Sequence, residues 1–302
     1  MAITAPKKLS DFSGFISREQ AAPIFQKAAE MSVVQRLAPQ VPLGGNGVAI
    51  PVLSTQPTAS WVSEGAQKPV TEGGMTLKTM DPKKLVVLHV ASQEVVRANP
   101  GGFIQAMENE IAGAFAVAFD DAALHDVNSP FDACIADTTK SVEFGSNAAS
   151  AGGVHQDLVD GLSELVAADK ELSAFALSTK AEPRMLGSVD TAGHPIFVDL
   201  PTTETSPAIR QARLLSRPAV VSKNVHHGEA NCEAIGGDWT QCAWGVVGGV
   251  SFSLSTETAV TINGSLVSAF EFNLVVFRFE VEYGFVINDT AAFVLYLNNT
   301  GS

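Results

Sequence analysis

One stretch, Val48 to Asp126, restricts what this chain can fold into more than any other. It opens with a long polar hairpin, Ile50–Pro82, whose limbs read as Ala59-Ser60-Trp61-Val62-Ser63-Glu64-Gly65 and Thr76-Leu77-Lys78-Thr79-Met80. Between them lies Lys68-Pro69-Val70-Thr71-Glu72-Gly73-Gly74, rich in turn formers and charge. A loop this long is unusual inside a compact domain, and it holds too few apolar residues to bury a core of its own. Such an arm normally lies on something else, and a neighbouring subunit is the simplest candidate. A helix follows Asn99-Pro100-Gly101-Gly102, with Phe103, Met107, Ile111, Phe115 and Ala118 on one face. Glu108, Glu110, Asp120 and Asp121 fall mainly outside that stripe. The run to about Asp126 gives roughly two dozen residues, about 35 Å, long for a globular domain. A long helix beside a long exposed hairpin points to an extended, lattice-building subunit.

Composition narrows the function classes. Length allows one large domain or two modest ones, and with 46% apolar residues a full core is available. The formal charge of −13 argues against sequence-independent nucleic-acid binding, which needs clustered Lys and Arg to displace counterions. An acidic container around nucleic acid would repel its contents rather than grip them. No apolar run reaches the length of a membrane span; Cys242–Leu254 comes nearest. The start, Met1-Ala2-Ile3-Thr4-Ala5-Pro6-Lys7-Lys8, has no apolar core of a secretory signal. Cys134, Cys232 and Cys242 show no metal-ligand spacing and read as free reduced thiols.

The remaining segments alternate without a regular βαβ beat, which makes the fold class α+β. Ser17-Arg18-Glu19-Gln20 is a capping box ahead of a short helix to about Met31. Lys84–Val96 is apolar on both alternating sets and is expected to be a strand covered on both faces. A second helix fits Gln156–Lys170, with Leu158, Leu162, Leu165 and Val166 on one face. Phe175–Ser178 and Pro218–Ser222 read as buried strands, Thr179–Gly187 as a short helix, Gly193-His194-Pro195 as a turn and Ile196-Phe197-Val198 as a short strand. Val275–Val286 is the clearest strand: Phe277, Phe279, Val281 and Tyr283 face one way, Arg278, Glu280 and Glu282 the other. Ala291–Leu297 supplies the last strand.

Chemistry-bearing motifs are few. There is no GxGxxG, no phosphate-cradling loop with Lys and Ser or Thr, no HExxH and no GxSxG elbow. Gly44-Gly45-Asn46-Gly47 reads as a turn. His226-His227-Gly228-Glu229 with Cys232 gathers ligand-type residues, but adjacent histidines diverge on most backbones and chelate poorly. Glu280 and Glu282 beside Arg278 read as an ion-pair ladder on a subunit surface. A dispersed Ser/His/Asp triad leaves no trace in a sequence, so a cytoplasmic hydrolase stays open as an alternative; it predicts a compact particle with a pocket and leaves the hairpin unexplained. No catalytic, cofactor or metal residue is nominated.

Four stretches in order carry a family resemblance: Ala59–Gly65 with Lys68-Pro69; Lys83-Lys84 through Ser92–Val96 to Phe119-Asp120-Asp121-Ala122-Ala123-Leu124; Arg217–Ser222 with Gly236-Gly237-Asp238-Trp239 and Gln241–Gly245; and Arg278-Phe279-Glu280 with Gly284-Phe285 and Ala291–Val294. Together they resemble the HK97-fold major capsid proteins of tailed double-stranded DNA bacteriophages. The resemblance implies an HK97-type capsid fold with an N-terminal arm (1–45), an extended β-hairpin loop (46–83), a peripheral domain with a long spine helix (84–127 and 251–286) and an axial domain (128–250 and 287–302). It implies a virion protein that self-assembles as hexamers and pentamers into an icosahedral head around DNA that is enclosed but not tightly bound, and that is assembled in the host cytoplasm. A portal protein is an implied partner, as is a separate scaffolding protein, since only a short arm precedes the loop. A decoration protein is a further possible partner; a membrane is not. Inter-subunit contact candidates are Trp61, Glu64, Lys68, Lys78, Arg278, Glu280 and Glu282. Trp61 either anchors on a neighbour or packs on its own hairpin. Some members join subunits by Lys–Asn isopeptide bonds assisted by a Glu; here Val276 and Phe277 ahead of Arg278 are not acidic, and such bonds are not expected. An encapsulin-type compartment shell, which shares the fold, is the nearest alternative.

Overall fold

The structure, a computed structural model, describes residues 27–28, 30–55, 58–65, 67–68, 70–71, 74–98, 103–147, 152–188, 198–199, 209–227, 231–262 and 264–298. The Ser17–Gln20 capping box, the Gly193–Pro195 turn and Ile196-Phe197 lie outside these residues. The elements run α1 Val33–Leu37, β1 Val48–Thr55, β2 Gly74–Met80, β3 Lys83–Ser92, α2 Gln93–Ala98, α3 Phe103–His125, β4 Ser141–Phe144, α4 Gly153–Val166, β5 Ala174–Ser178, α5 Glu182–Leu186, β6 Val198–Asp199, β7 Ile209–Leu214, β8 Arg217–Ser222, β9 Cys232–Gly237, β10 Cys242–Ser255, β11 Ala259–Ile262, β12 Ser265–Ser268, β13 Leu274–Ile287 and β14 Phe293–Asn298.

β13 is the centre of the first sheet, order β10-β13-β3, antiparallel throughout. Its alternation sets the two faces. Phe277, Phe279, Val281, Tyr283, Phe285 and Ile287 are buried on the inner face. α3 lies over that face, and Phe119 is its central contact: its ring centroid is 4.8 Å from Tyr283 and 6.4 Å from both Phe285 and Trp244. The helical stripe therefore runs through Met107, Ile111, Phe115 and Phe119, all buried, with Ala118 only half-buried beside it. Two expectations need correction. Asp120 is completely buried, because it serves backbone donors described below. β3 is an edge strand covered on one face only: Leu85 and Val87 are half-buried, while Val86 and Leu88 on the outer face are 41% and 58% exposed. The strand ends at Ser92, and 93–98 form α2 on the way to α3, in keeping with the turn towards the long helix read at Ser92–Val96.

The second sheet has seven strands in the order β4-β14-β9-β5-β8-β7-β6, with β5/β8 and β4/β14 parallel and the other pairs antiparallel. β5 is buried along its whole length, as continuous apolar runs are in sheets covered on both sides. α4 packs through Leu158 and Leu165. Gly161 lets Tyr296 pass beneath that helix: a Cβ there would lie 2.2 Å from the hydroxyl oxygen, which donates to the Leu158 carbonyl at 3.3 Å. Val166, expected on the buried face, is 60% exposed at the helix end. Trp239 joins the sheets, its indole N–H donating to the Ala174 carbonyl at 3.1 Å.

β10 and β13 part register between Val247 and Ser251, where Gly248 and Gly249 take positive φ values of 65° and 81°. Beyond this bulge the sheet continues to a small hairpin, β11–β12.

Candidate functional site

The hairpin β1–β2 is antiparallel, in register from Val48 opposite Met80 to Leu53 opposite Met75. Its limbs are 48–55 and 74–80; the stretch Ala59–Gly65, read as a limb from sequence, is not in a strand. The base of the hairpin is seated on the outer face of the first sheet. The chain before it runs beside β10: Val41 N–H donates to the Trp244 carbonyl at 2.8 Å, Trp244 N–H to the Pro39 carbonyl at 3.2 Å, and the Trp244 indole to the Ala38 carbonyl at 3.2 Å. Gly245 and Gly284 are cross-strand partners, and Leu43 and Met80 rest on that glycine pair. A Cβ on Gly284 would lie 2.7 Å from Met80 Cγ and 2.8 Å from Leu43 Cδ2; one on Gly245 would lie 2.8 Å from Leu43 Cβ and from the Val41 carbonyl oxygen. Leu43, Met80, Ala243 and Val286 form a small buried cluster there. Lys78 clamps the seat, its ammonium donating to the carbonyls of Ile287 (2.7 Å) and Asn288 (2.8 Å).

Away from the base the hairpin is bare. Trp61 is fully exposed and packs on nothing among the described residues of its hairpin; Val62, Val70, Met75 and Leu77 are exposed too, as are Glu64 and Lys68. Of the hairpin candidates, Trp61, Glu64 and Lys68 thus share the distal region, while Lys78 sits at the base with its ammonium engaged inside its own subunit.

Arg278, Glu280 and Glu282 occupy the outer face of β13. Arg278 Nε donates to Ser253 Oγ at 3.0 Å and lies 3.4 Å from Glu280 Oε1; Lys84 Nζ reaches Glu280 at 3.9 Å and Glu282 at 3.8 Å. These are solvent-facing pairs, each contributing about 1 kcal/mol or less. Val86 and Leu88 stand beside them, register partners of Glu280 and Arg278. A second exposed apolar group was missed from sequence. Phe270 and Phe272, 74% and 63% exposed, project from a knuckle beyond β12. The knuckle is held by Ala269 N–H to Thr258 O and Leu274 N–H to Ala269 O, both 2.8 Å. The Phe270-Glu271-Phe272 alternation was the available signal, and it resembles an ordinary half-buried strand.

The His226-His227 motif is used for packing. The His226 ring accepts from Lys180 Nζ at 2.7 Å and donates through Nδ1 to the Cys232 carbonyl at 3.2 Å. His227 stacks on His125 at 5.5 Å, and burial, with the other two histidines adding repulsion, holds the His125 imidazole down to about 4. Gly228 and Glu229 lie outside the described residues. Among the described residues no three His, Cys, Asp or Glu side chains are gathered as a metal site, and no helix is long and apolar enough to cross a membrane. Burial pushes the Cys134 thiol up to about 11 and that of Cys232 to about 12.

An arm seated by its base, a long helix on a three-stranded sheet and a second mixed sheet together define a shell-building subunit of the HK97-type α+β fold. The chain belongs to the phage capsid family, whose model matches residues 13–297. It is 38% identical over 300 residues to the probable major capsid protein gp17 of Mycobacterium phage L5, covering 96% of this chain and 91% of that one. It is 36% identical over 291 residues to the probable major capsid protein gp17 of Mycobacterium phage D29, covering 95% and 91%. A solved chain of Gordonia phage Cozz superposes with a TM-score of 0.68 at 25% identity, covering 89% and 87%. The protein is a structural capsid protein of the virion.

Proposed function

We propose that the chain builds an icosahedral head from hexamers and pentamers in which each hairpin lies across a neighbouring subunit, with Trp61 as its anchor. The observation that carries this reading is the contrast within the hairpin: a base locked by Met80, Leu43 and Lys78, and a distal end whose Trp61 is fully exposed and meets nothing among the described residues. A large aromatic fully in water is a poor end state for a folded chain and a strong interface anchor. Glu64 and Lys68 flank that anchor, and Arg278, Glu280 and Glu282 offer charge on the sheet face. The arm, hairpin loop, peripheral and axial divisions follow the boundaries given above, with α3 as the spine helix. The subunit carries no catalysis. Assembly takes place in the host cytoplasm with a separate scaffolding protein and a portal protein, and a decoration protein is an optional addition. The net charge of −13 suits a wall that contains DNA without gripping it.

Electron microscopy of the full chain, expressed alone and with its neighbouring phage genes, tests this. Closed shells with hexameric texture that contain DNA in the native particle are expected, and Trp61→Ala should leave a folded subunit that assembles poorly. A small uniform oligomer under every condition would overturn the reading.

A further inference from the structure

Asp120 lies fully buried on α3, in the C-terminal third of the helix, and receives hydrogen bonds from two other parts of the chain. Its Oδ1 accepts from Ser32 Oγ at 2.7 Å and Val34 N–H at 3.2 Å; its Oδ2 accepts from Val33 N–H at 2.9 Å and Asn224 Nδ2 at 2.8 Å. The reason is local. The chain is helical up to Met31 and again from Val33, and Ser32 breaks it in an extended conformation. A new helix start leaves backbone N–H groups without partners, and Asp120 takes two of them from below. Ser32 completes the cap by accepting from Gln35 N–H at 3.2 Å. Asn224, just after β8, also donates to the Met31 carbonyl at 3.2 Å. One carboxylate therefore ties the segment before the hairpin, the long helix and the second sheet into a single joint.

We propose that Asp120 is a proton-sensitive latch, which holds the 31–37 segment on the long helix more firmly as the pH falls and lets it loosen as the pH rises.

All four donors are neutral, so the carboxylate is buried without a cation among them. Burial pushes its acid up to about 6, against the pull of the four hydrogen bonds. An acid that is harder to ionise when docked takes up a proton on docking. Docking is therefore strongest below about pH 4, weakens as the pH rises through about 6, and then levels off. The neutral acid has an acceptor at hand in Ser32 Oγ. Other titratable groups surround the joint. Tyr283 faces Asp120 from β13, its hydroxyl pushed up to about 12 by burial first and by the Asp120 charge in addition. Asp121, the next residue, is raised by burial and faces His227 across the same connection. Arg36 lies on α1 and Lys223 follows β8. His125 titrates with the opposite sign, its folded value lying below the ordinary one, so it favours opening in acid.

The test is amide hydrogen exchange on the full chain, read at Val33 and Val34, the two amides that donate to Asp120, and corrected for the intrinsic pH dependence of exchange. Opening should increase about tenfold between about pH 5 and about pH 7 and change little from there to about pH 8. Asp120→Asn should abolish the step. Asn224→Ala removes one donor that favours the ionised carboxylate, which makes the acid still weaker, so the step should move to higher pH. That second variant keeps the test decisive if the first does not fold. A flat wild-type profile, a step that survives in Asp120→Asn and so belongs to Asp121, His227 or His125, or an unmoved step in Asn224→Ala would each overturn the proposal.

Discussion

The outer face of the three-stranded sheet has two halves built on opposite terms. In one, Gly245 and Gly284 remove their side chains so that Leu43 and Met80 from the same chain can lie flat on the backbone. In the other, Val86, Leu88, Arg278 and Glu280 keep theirs; Val86, Leu88 and Arg278 are exposed, and Glu280 is half-buried among its ion-pair partners. β13 runs through both halves, paired with β10 in one and with β3 in the other, and its own residues change from Gly284 to Arg278 and Glu280 between them. The covered half completes itself during folding. The bare half and the hairpin end that carries Trp61 expose apolar side chains, which is what the proposed contact with a neighbouring subunit would cover.

The contrast can be broken most severely at the glycine pair. Gly284→Val drives two methyl groups into Met80 and Leu43, and overpacking should cost about 3 kcal/mol; thermal unfolding should show a clearly lower midpoint, and shells should be lost. Trp61→Ala sharpens it from the other side. Folding stability should stay within about 0.5 kcal/mol, while assembly should weaken by about 2 kcal/mol per contact, seen as roughly a thirtyfold higher subunit concentration for shell formation. Lys78→Met removes the clamp on the Ile287 and Asn288 carbonyls, and should cost about 1 kcal/mol in denaturant unfolding. Denaturing gels of wild-type particles should show monomer-sized bands, since Val276 and Phe277 ahead of Arg278 are not acidic and the Lys78 ammonium is committed to its own chain. The smallest effect belongs to the bare half: Lys84→Ala should lose about 0.5 kcal/mol at low salt and nothing measurable at high salt.

What was legible in the sequence was periodic. β13 declared itself by alternation, and α3 by its fourfold spacing, because each buries one side of a regular element. Asp120 broke that rule: a carboxylate reads as surface, and the donors it serves come from the Ser32 break, 88 positions earlier, and from Asn224, 104 positions later. The outer face of β3 misled in the opposite sense. Val86 and Leu88 look like core, and in the single chain they face water. The seat under the hairpin was invisible because the Gly245–Gly284 pairing depends on register between distant strands. Trp61, Glu64 and Lys68 emerged as candidates from the hairpin's polarity and its single tryptophan, whereas Phe270 and Phe272 hid inside what looked like one more strand.

The hairpin base is also a fulcrum. β1 has eight residues, about 26 Å of nearly inextensible strand at roughly 3.3 Å per residue. A tilt of about 5° at the Gly245–Gly284 seat would swing its far end by about 2 Å, enough to take an aromatic ring out of van der Waals contact. If Trp61 docks as proposed, two missing methyl groups at the base of the lever bear on where it lands.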